Sequence, residues 1–142
     1  MIEADPVFYV SSAETERMRR LARERLPSFL ALQSRYAKNR KWEFSVKLGL
    51  PTANNAAGHT CGGVEHLWFG VHDANAKTVD GTLLNQPYNV AGLREGQRGM
   101  FDLRLLTDWA IEAPRGRYTP DSVLQLERGA ATNGSFARPL LH

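Results

Sequence analysis

From Trp42 to Leu50 the chain alternates apolar residues (Trp42, Phe44, Val46, Leu48, Leu50) with Glu43, Ser45, Lys47 and Gly49. A period of two sends successive side chains to opposite faces, so this stretch predicts a strand with one buried face. Upstream the period is longer. Met18, Leu21, Ala22, Leu26 and Phe29 recur at three- to four-residue steps and form one apolar stripe, predicting an amphipathic helix over Ser12 to Arg25. Ser11 and Glu14 have capping-box spacing, which sets the helix start just after Ser11. Before it, Val7-Phe8-Tyr9-Val10, bounded by Pro6 and Ser11, reads as a short strand. Pro27 lacks a donor and crowds the preceding turn, so the helix should break near Leu26. A second helix can then run through Phe29, Leu32 and Tyr36 with Pro27 in its first turn.

Beyond Leu50 the pattern breaks into short β-like runs at Val64 to Val71, Val79 to Leu84, Met100 to Leu105 and Trp109 to Ala113. Pro51 to Gly63, rich in Ala, Asn and Gly, predicts a loop, and Leu93 to Gly99 carries turn signals. Tyr118 to Leu126 fits either a short helix opening near Pro120-Asp121 or a last strand. Strands joined by short links without intervening helices predict an antiparallel meander. The expected fold is therefore α+β, a strongly curved antiparallel sheet packed against an N-terminal amphipathic helix. With 142 residues, 42% of them hydrophobic, the chain suits a single domain over 1–142 with one core.

Charge adds one feature to this picture. Residues 1–41 hold nine Lys/Arg against five Asp/Glu, whereas the rest holds nine against ten. The excess gathers on the first helix at Arg17, Arg19, Arg20, Arg23 and Arg25. That surface suits an acidic partner. Nucleic acid is disfavoured, because no aromatic residues interleave with the arginines to stack on bases. No apolar run approaches the roughly 20 residues that span a bilayer. The first residues lack the basic and apolar regions of a secretion signal, and the single Cys61 leaves no internal disulfide, so a cytoplasmic setting is expected.

Three constellations carry candidate chemistry. His59, Cys61 and His66 lie within eight residues, with Glu65 and His72 nearby, but their spacing matches no standard zinc pattern, so no metal and no cofactor is expected. Cys61 as a nucleophile would need a basic neighbour or a helix N-terminus, and a Gly-rich loop supplies neither. Glu65, His66 and Asp108 suit acid-base work in a small hydrolase, yet adjacent strand residues point to opposite faces, which separates Glu65 from His66. Gly-rich phosphate-binding motifs are absent from the sequence. Structural roles are expected for the others: Gly81 in a turn with positive φ, Asn85 with Pro87 ending a strand, Asp108 capping a local turn and Trp109 supplying buried surface.

These residues also carry a resemblance. Ala22-Arg23, Leu26-Pro27 and Phe29, then Phe44-x-Val46-Lys47, Glu65-His66-Leu67-Trp68, Gly81-x-Leu83-x-Asn85-x-Pro87, Val90-x-x-Leu93-x-x-Gly96 and Asp108-Trp109 follow one another as in a bacterial family. The chain resembles the YegJ-like domain of unknown function (domain of unknown function 2314), with a family-like core over 7–112 and an extension over 113–142. The resemblance implies a small α+β protein without an established enzyme activity, in settings of toxin immunity or protein interaction. The reading that follows is a non-catalytic, cytoplasmic protein-binding module, with a partner protein such as a toxin. Its candidate contact residues are Arg17, Arg20, Arg23, His59, Cys61, His66, Asn85, Asp108 and Trp109. A hydrolase using Glu65, His66 and Asp108, or a basic nucleic-acid-binding domain, is the alternative.

Overall fold

The computed structural model describes residues 6–52 and 63–126, with side chains of the first helix from Ala13 onward. Two helices precede six strands: α1 (Pro6–Glu24), α2 (Leu26–Tyr36), β1 (Glu43–Pro51), β2 (Val64–Ala74), β3 (Thr78–Leu83), β4 (Arg98–Asp102), β5 (Leu106–Ala113) and β6 (Gly116–Tyr118). The break between the helices falls where Pro27 demands it, with that proline in the first turn of α2. The expected strand at Val7 to Val10 is instead the start of α1, which begins at Pro6 and not after Ser11. A four-residue apolar run alone does not separate strand from helix, and Pro6 fits the first helical position as well as it bounds a strand.

The strands form one antiparallel sheet in the order β4-β3-β2-β1-β5-β6. The first four make a meander. β5 departs from it by pairing with the far side of β1, with Phe44 opposite Ile111 and Val46 opposite Trp109. A 3-10 turn at Leu103–Leu105 joins β4 to β5, where an uninterrupted strand from Met100 was expected. Asp102 diverts the chain there, its carboxylate accepting the Arg104 N–H at 2.8 Å. Four steps of chain from Asp102 to Leu106 reach at most about 14 Å. Four strand spacings in a flat sheet come to about 19 Å. The sheet must therefore curl to bring the end of β4 toward β5.

The core lies between the helices and one sheet face. Phe29 of α2 meets Phe44 edge-on at 5.6 Å between ring centroids and Trp109 at 5.0 Å. Trp109 is fully buried, and its indole N–H donates to the Ala22 carbonyl at 3.0 Å, tying α1 to β5. Tyr36 at the end of α2 stacks on Trp42 at 3.9 Å, which delivers the chain into β1. After β6, residues 123–126 form a single helical turn, so the Tyr118 to Leu126 stretch supplies the end of a strand and then a helical turn. No described helix is long and apolar enough to cross a membrane.

Two glycines behave differently from one another. Gly81 lies inside β3 and not in a turn; among the described residues the positive-φ glycines are Gly92, Gly96 and Gly116. Its role is close approach, since a Cβ there would meet the Gly70 carbonyl at 3.1 Å. Gly49 clears space on the opposite face for an imidazole, as described next.

Candidate functional site

Residues directly opposite in an antiparallel pair share a face. Lys47 of β1 is opposite both Trp68 of β2 and Asp108 of β5. These three therefore form a row across the sheet on the face away from Phe44, Val46 and Trp109. No described helix covers that face. Trp68 is partly buried and has the Lys47 ammonium 5.7 Å and the Arg117 guanidinium 5.9 Å from its ring centre. Both are within cation-π range. Arg117 comes from β6 and also pairs with Glu112 on β5.

His66 occupies the next row, opposite Gly49. A Cβ on Gly49 would lie 3.3 Å from His66 Cε1, so the glycine lets the ring lie flat across β1 toward Thr107. The Thr107 hydroxyl donates to the Lys47 carbonyl at 3.2 Å. Its oxygen is left to accept from His66 Nδ1 at 3.4 Å, which assigns the proton of the neutral ring to that nitrogen. Burial lowers the His66 pKa below the ordinary histidine value, and the nearby positive charges of Lys47 and Arg19 lower it further. Burial raises the Asp108 pKa above the usual aspartate value, opposed by the Trp109 N–H donating to Oδ1 at 2.8 Å and by the charges of Lys47 and Arg117. Asp108 thus lies within β5 and bonds the next residue's amide, where a turn cap was expected.

The candidate acid-base set does not converge. Glu65 has the parity of Leu67 and Phe69, opposite to His66. Both its carboxylate oxygens are taken by loop amides, Oε2 by Tyr88 N–H at 2.9 Å and Oε1 by Asn89 N–H at 2.8 Å. It anchors the loop after β3. Asn85 has a comparable structural use, its Oδ1 accepting the Trp68 N–H at 2.6 Å while the Leu84 N–H donates to the Trp68 carbonyl at 2.8 Å. This clamp holds the β2 backbone beneath the Trp68 ring.

The arginines of α1 divide in the same way. Arg17 pairs with Glu14 and, at 3.0 Å, with Asp121, joining α1 to the chain after β6. Arg23 donates to the carbonyls of Arg104 and Leu106, holding the 3-10 turn. Arg20 is exposed. His59 and Cys61 lie outside the described residues, and Trp109 is in the core. Among the described residues no group of three or more His, Cys, Asp or Glu is arranged to hold a metal ion. An open groove of about 730 Å³ runs between the α1–α2 junction, the β2–β3 turn and the end of β4, lined by Arg23, Lys77 and Asp102 among others, and none of the candidate acid-base groups lines it.

Lys47, Trp68 and Arg117 are not among the contact residues expected from the sequence. For Lys47 and Trp68 a signal existed. Both fall on the polar parity of strands whose other parity is core, and a tryptophan there has no packing reason to be present. Arg117 was not legible, because it reaches Trp68 only through the β5–β6 pairing.

The family model for an uncharacterized protein conserved in bacteria (domain of unknown function 2314) matches residues 22–129. The chain belongs to this bacterial family. The match takes in every strand of the sheet and runs past Ala113 into the helical turn that follows β6. No curated protein and no solved structure matches the chain.

Proposed function

We propose that this family member is a non-catalytic protein-binding module that uses the sheet face around Trp68, which no described helix covers, to hold an acidic partner protein. One observation carries the reading: a partly exposed tryptophan is flanked by two cations, Lys47 and Arg117, on a rigid sheet face. Trp and Arg are the residue types that dominate binding energy at protein interfaces, where a flat ring gives contact area at low entropic cost. A partner carboxylate opposite Lys47 and Arg117, with apolar surface over the indole, would satisfy both features. The scattering of Glu65 and His66 to opposite faces supports binding over hydrolysis. A toxin neutralised through this contact is the form of partner we favour, since blocking needs complementarity and no chemistry from this chain. The lone cysteine, with no internal disulfide to form, supports a cytoplasmic setting.

The test is a pull-down from the source cell followed by reconstitution with the purified partner. Wild type and an Arg20→Glu variant should retain one stoichiometric partner. Trp68→Ala should weaken binding by about 2 kcal/mol, roughly 30-fold, as expected for an interface anchor. Arg117→Glu should weaken it further at low salt. Full retention by both sheet-face variants would refute the reading.

A further inference from the structure

β4 ends the sheet, and its own register shows which of its backbone groups face outward. Leu103 N–H donates to the Lys77 carbonyl and Leu83 N–H to the Gln97 carbonyl. Hydrogen-bonded pairs alternate along an antiparallel ladder, so Gln97, Gly99, Phe101 and Leu103 bond toward β3. The N–H and C=O of Arg98, Met100 and Asp102 therefore point away from the sheet. Among the described residues no backbone group bonds to them. Met100, at the centre of this edge, is 65% exposed, an unusual place for a large apolar side chain.

The five residues Arg98-Gly99-Met100-Phe101-Asp102 are complementary to themselves when reversed. Placed antiparallel to a second copy with Met100 opposite Met100, Arg98 falls opposite the other copy's Asp102, and Asp102 opposite its Arg98. The pairs that form hydrogen bonds in this register are those three outward-facing residues, giving about six inter-strand bonds. On the other face Gly99 falls opposite Phe101; each strand's own Phe101 ring already lies over its Gly99 and packs on Phe69, so this pair meets without a clash of two large side chains. Arg98 is held by Asp80 through Nε and Nη2, and Asp102 by Arg104, so the facing pair joins two existing ion pairs, with Arg98 Nη1 left to reach the second carboxylate.

We infer that β4 is the contact between two copies of this chain, which pair antiparallel about Met100 to make one continuous sheet. The partner is a second copy because charge and hydrogen-bond register are both satisfied by the strand's own sequence. This contact is separate from the Trp68 row, two strands away, and places two such rows on one extended face.

The full chain should sediment with twice its 15.9 kDa mass as its concentration rises from low micromolar to near-millimolar. Met100→Pro removes only an outward N–H, so it should leave the circular dichroism unchanged and weaken association at least tenfold. Arg98→Glu and Asp102→Lys should each be monomeric alone, since each sets like charges opposite one another. Mixed in equal amounts they should form a heterodimer, because every facing pair is then of opposite sign. Should a charge variant unfold, Met100→Cys in a Cys61→Ser background gives an independent reading, oxidising to a disulfide-linked dimer. A wild type that stays monomeric throughout, a dimer that survives Met100→Pro, or a folded variant mixture that stays monomeric would each overturn the inference. So would a monomer that captures an extended acidic peptide along β4, which would assign the edge to a different chain.

Discussion

Replacing Trp109 with Phe isolates the joint between α1 and the sheet. The indole N–H satisfies the Ala22 carbonyl, which lies in the last turn of α1, where the helical ladder runs out of donors. Phenylalanine fills most of the volume but leaves that buried carbonyl unpaired, a cost of about 1–3 kcal/mol. Losing the outer edge of a fully buried indole adds about 1 kcal/mol for transfer and the small cavity left beside Phe29. The sum, about 2–4 kcal/mol, corresponds to a fall in Tm of about 10 °C for a chain of this size. Urea denaturation followed by far-ultraviolet circular dichroism measures it directly, with Trp68→Phe on the opposite sheet face as the control, expected within about 0.5 kcal/mol of wild type. A Trp109→Phe loss below about 1 kcal/mol would show that the carbonyl finds another donor and that the joint does not rest on this bond.

Gly49→Ala should push the His66 ring from Thr107, destabilise by about 1 kcal/mol and return the His66 pKa toward its ordinary value, readable by NMR titration of the ring protons. An unmoved titration would mean that the ring does not depend on that space. Asp108 has a raised pKa, so the folded state binds its proton more tightly than the unfolded state does, and its contribution to stability falls as pH rises through the range just above the usual aspartate value. Asp108→Asn keeps an acceptor for the Trp109 N–H, so it should flatten that fall and stabilise the protein at neutral pH; a destabilised variant there would mean the charge is needed. His66 has the opposite sign. Its lowered pKa favours the neutral ring in the fold, so its contribution is present above the ordinary histidine value and lost as pH falls through the lowered one; His66→Gln should remove that acid-side loss from the stability curve. Asn85→Ala leaves the Trp68 amide without its 2.6 Å acceptor and should cost about 1–3 kcal/mol by thermal melting, where no change would mean that water replaces the side chain.

Elements with sustained periodicity were legible from the chain: the β1 alternation, the break at Pro27 and the α2 stripe all fall where their residues demand. Val7 to Val10 misled because four apolar residues fit either period, and only the continuation into α1 decides between them. The link after β4 was hidden for a different reason. Leu103 and Leu105 look like strand residues, yet the Asp102 carboxylate turns the backbone and sends β5 to the far side of β1, a choice made by tertiary packing on Trp109. At Gly81 glycine's tolerance of positive φ suggests a turn, whereas its lack of a side chain beside the Gly70 carbonyl is what the fold uses.

The site was legible in parts. Parity alone separated Glu65 from His66, as the structure has them. The charge excess on α1 was visible, but two of its three candidate arginines are engaged inside the molecule: Arg17 with Asp121, Arg23 with the carbonyls around the 3-10 turn. Those partners lie more than 80 residues away in the chain, and local pattern carries no trace of them. Lys47, Trp68 and Asp108 come together through the pairing of β2, β1 and β5, which no single strand's pattern specifies.

The most direct test of the proposed binding face is to follow the indole N–H signals by NMR while the purified partner is titrated in. The account predicts a large shift of the Trp68 signal, lost in the Arg117→Glu variant, with the buried Trp109 signal unmoved. A partner that binds without disturbing Trp68 would contradict it.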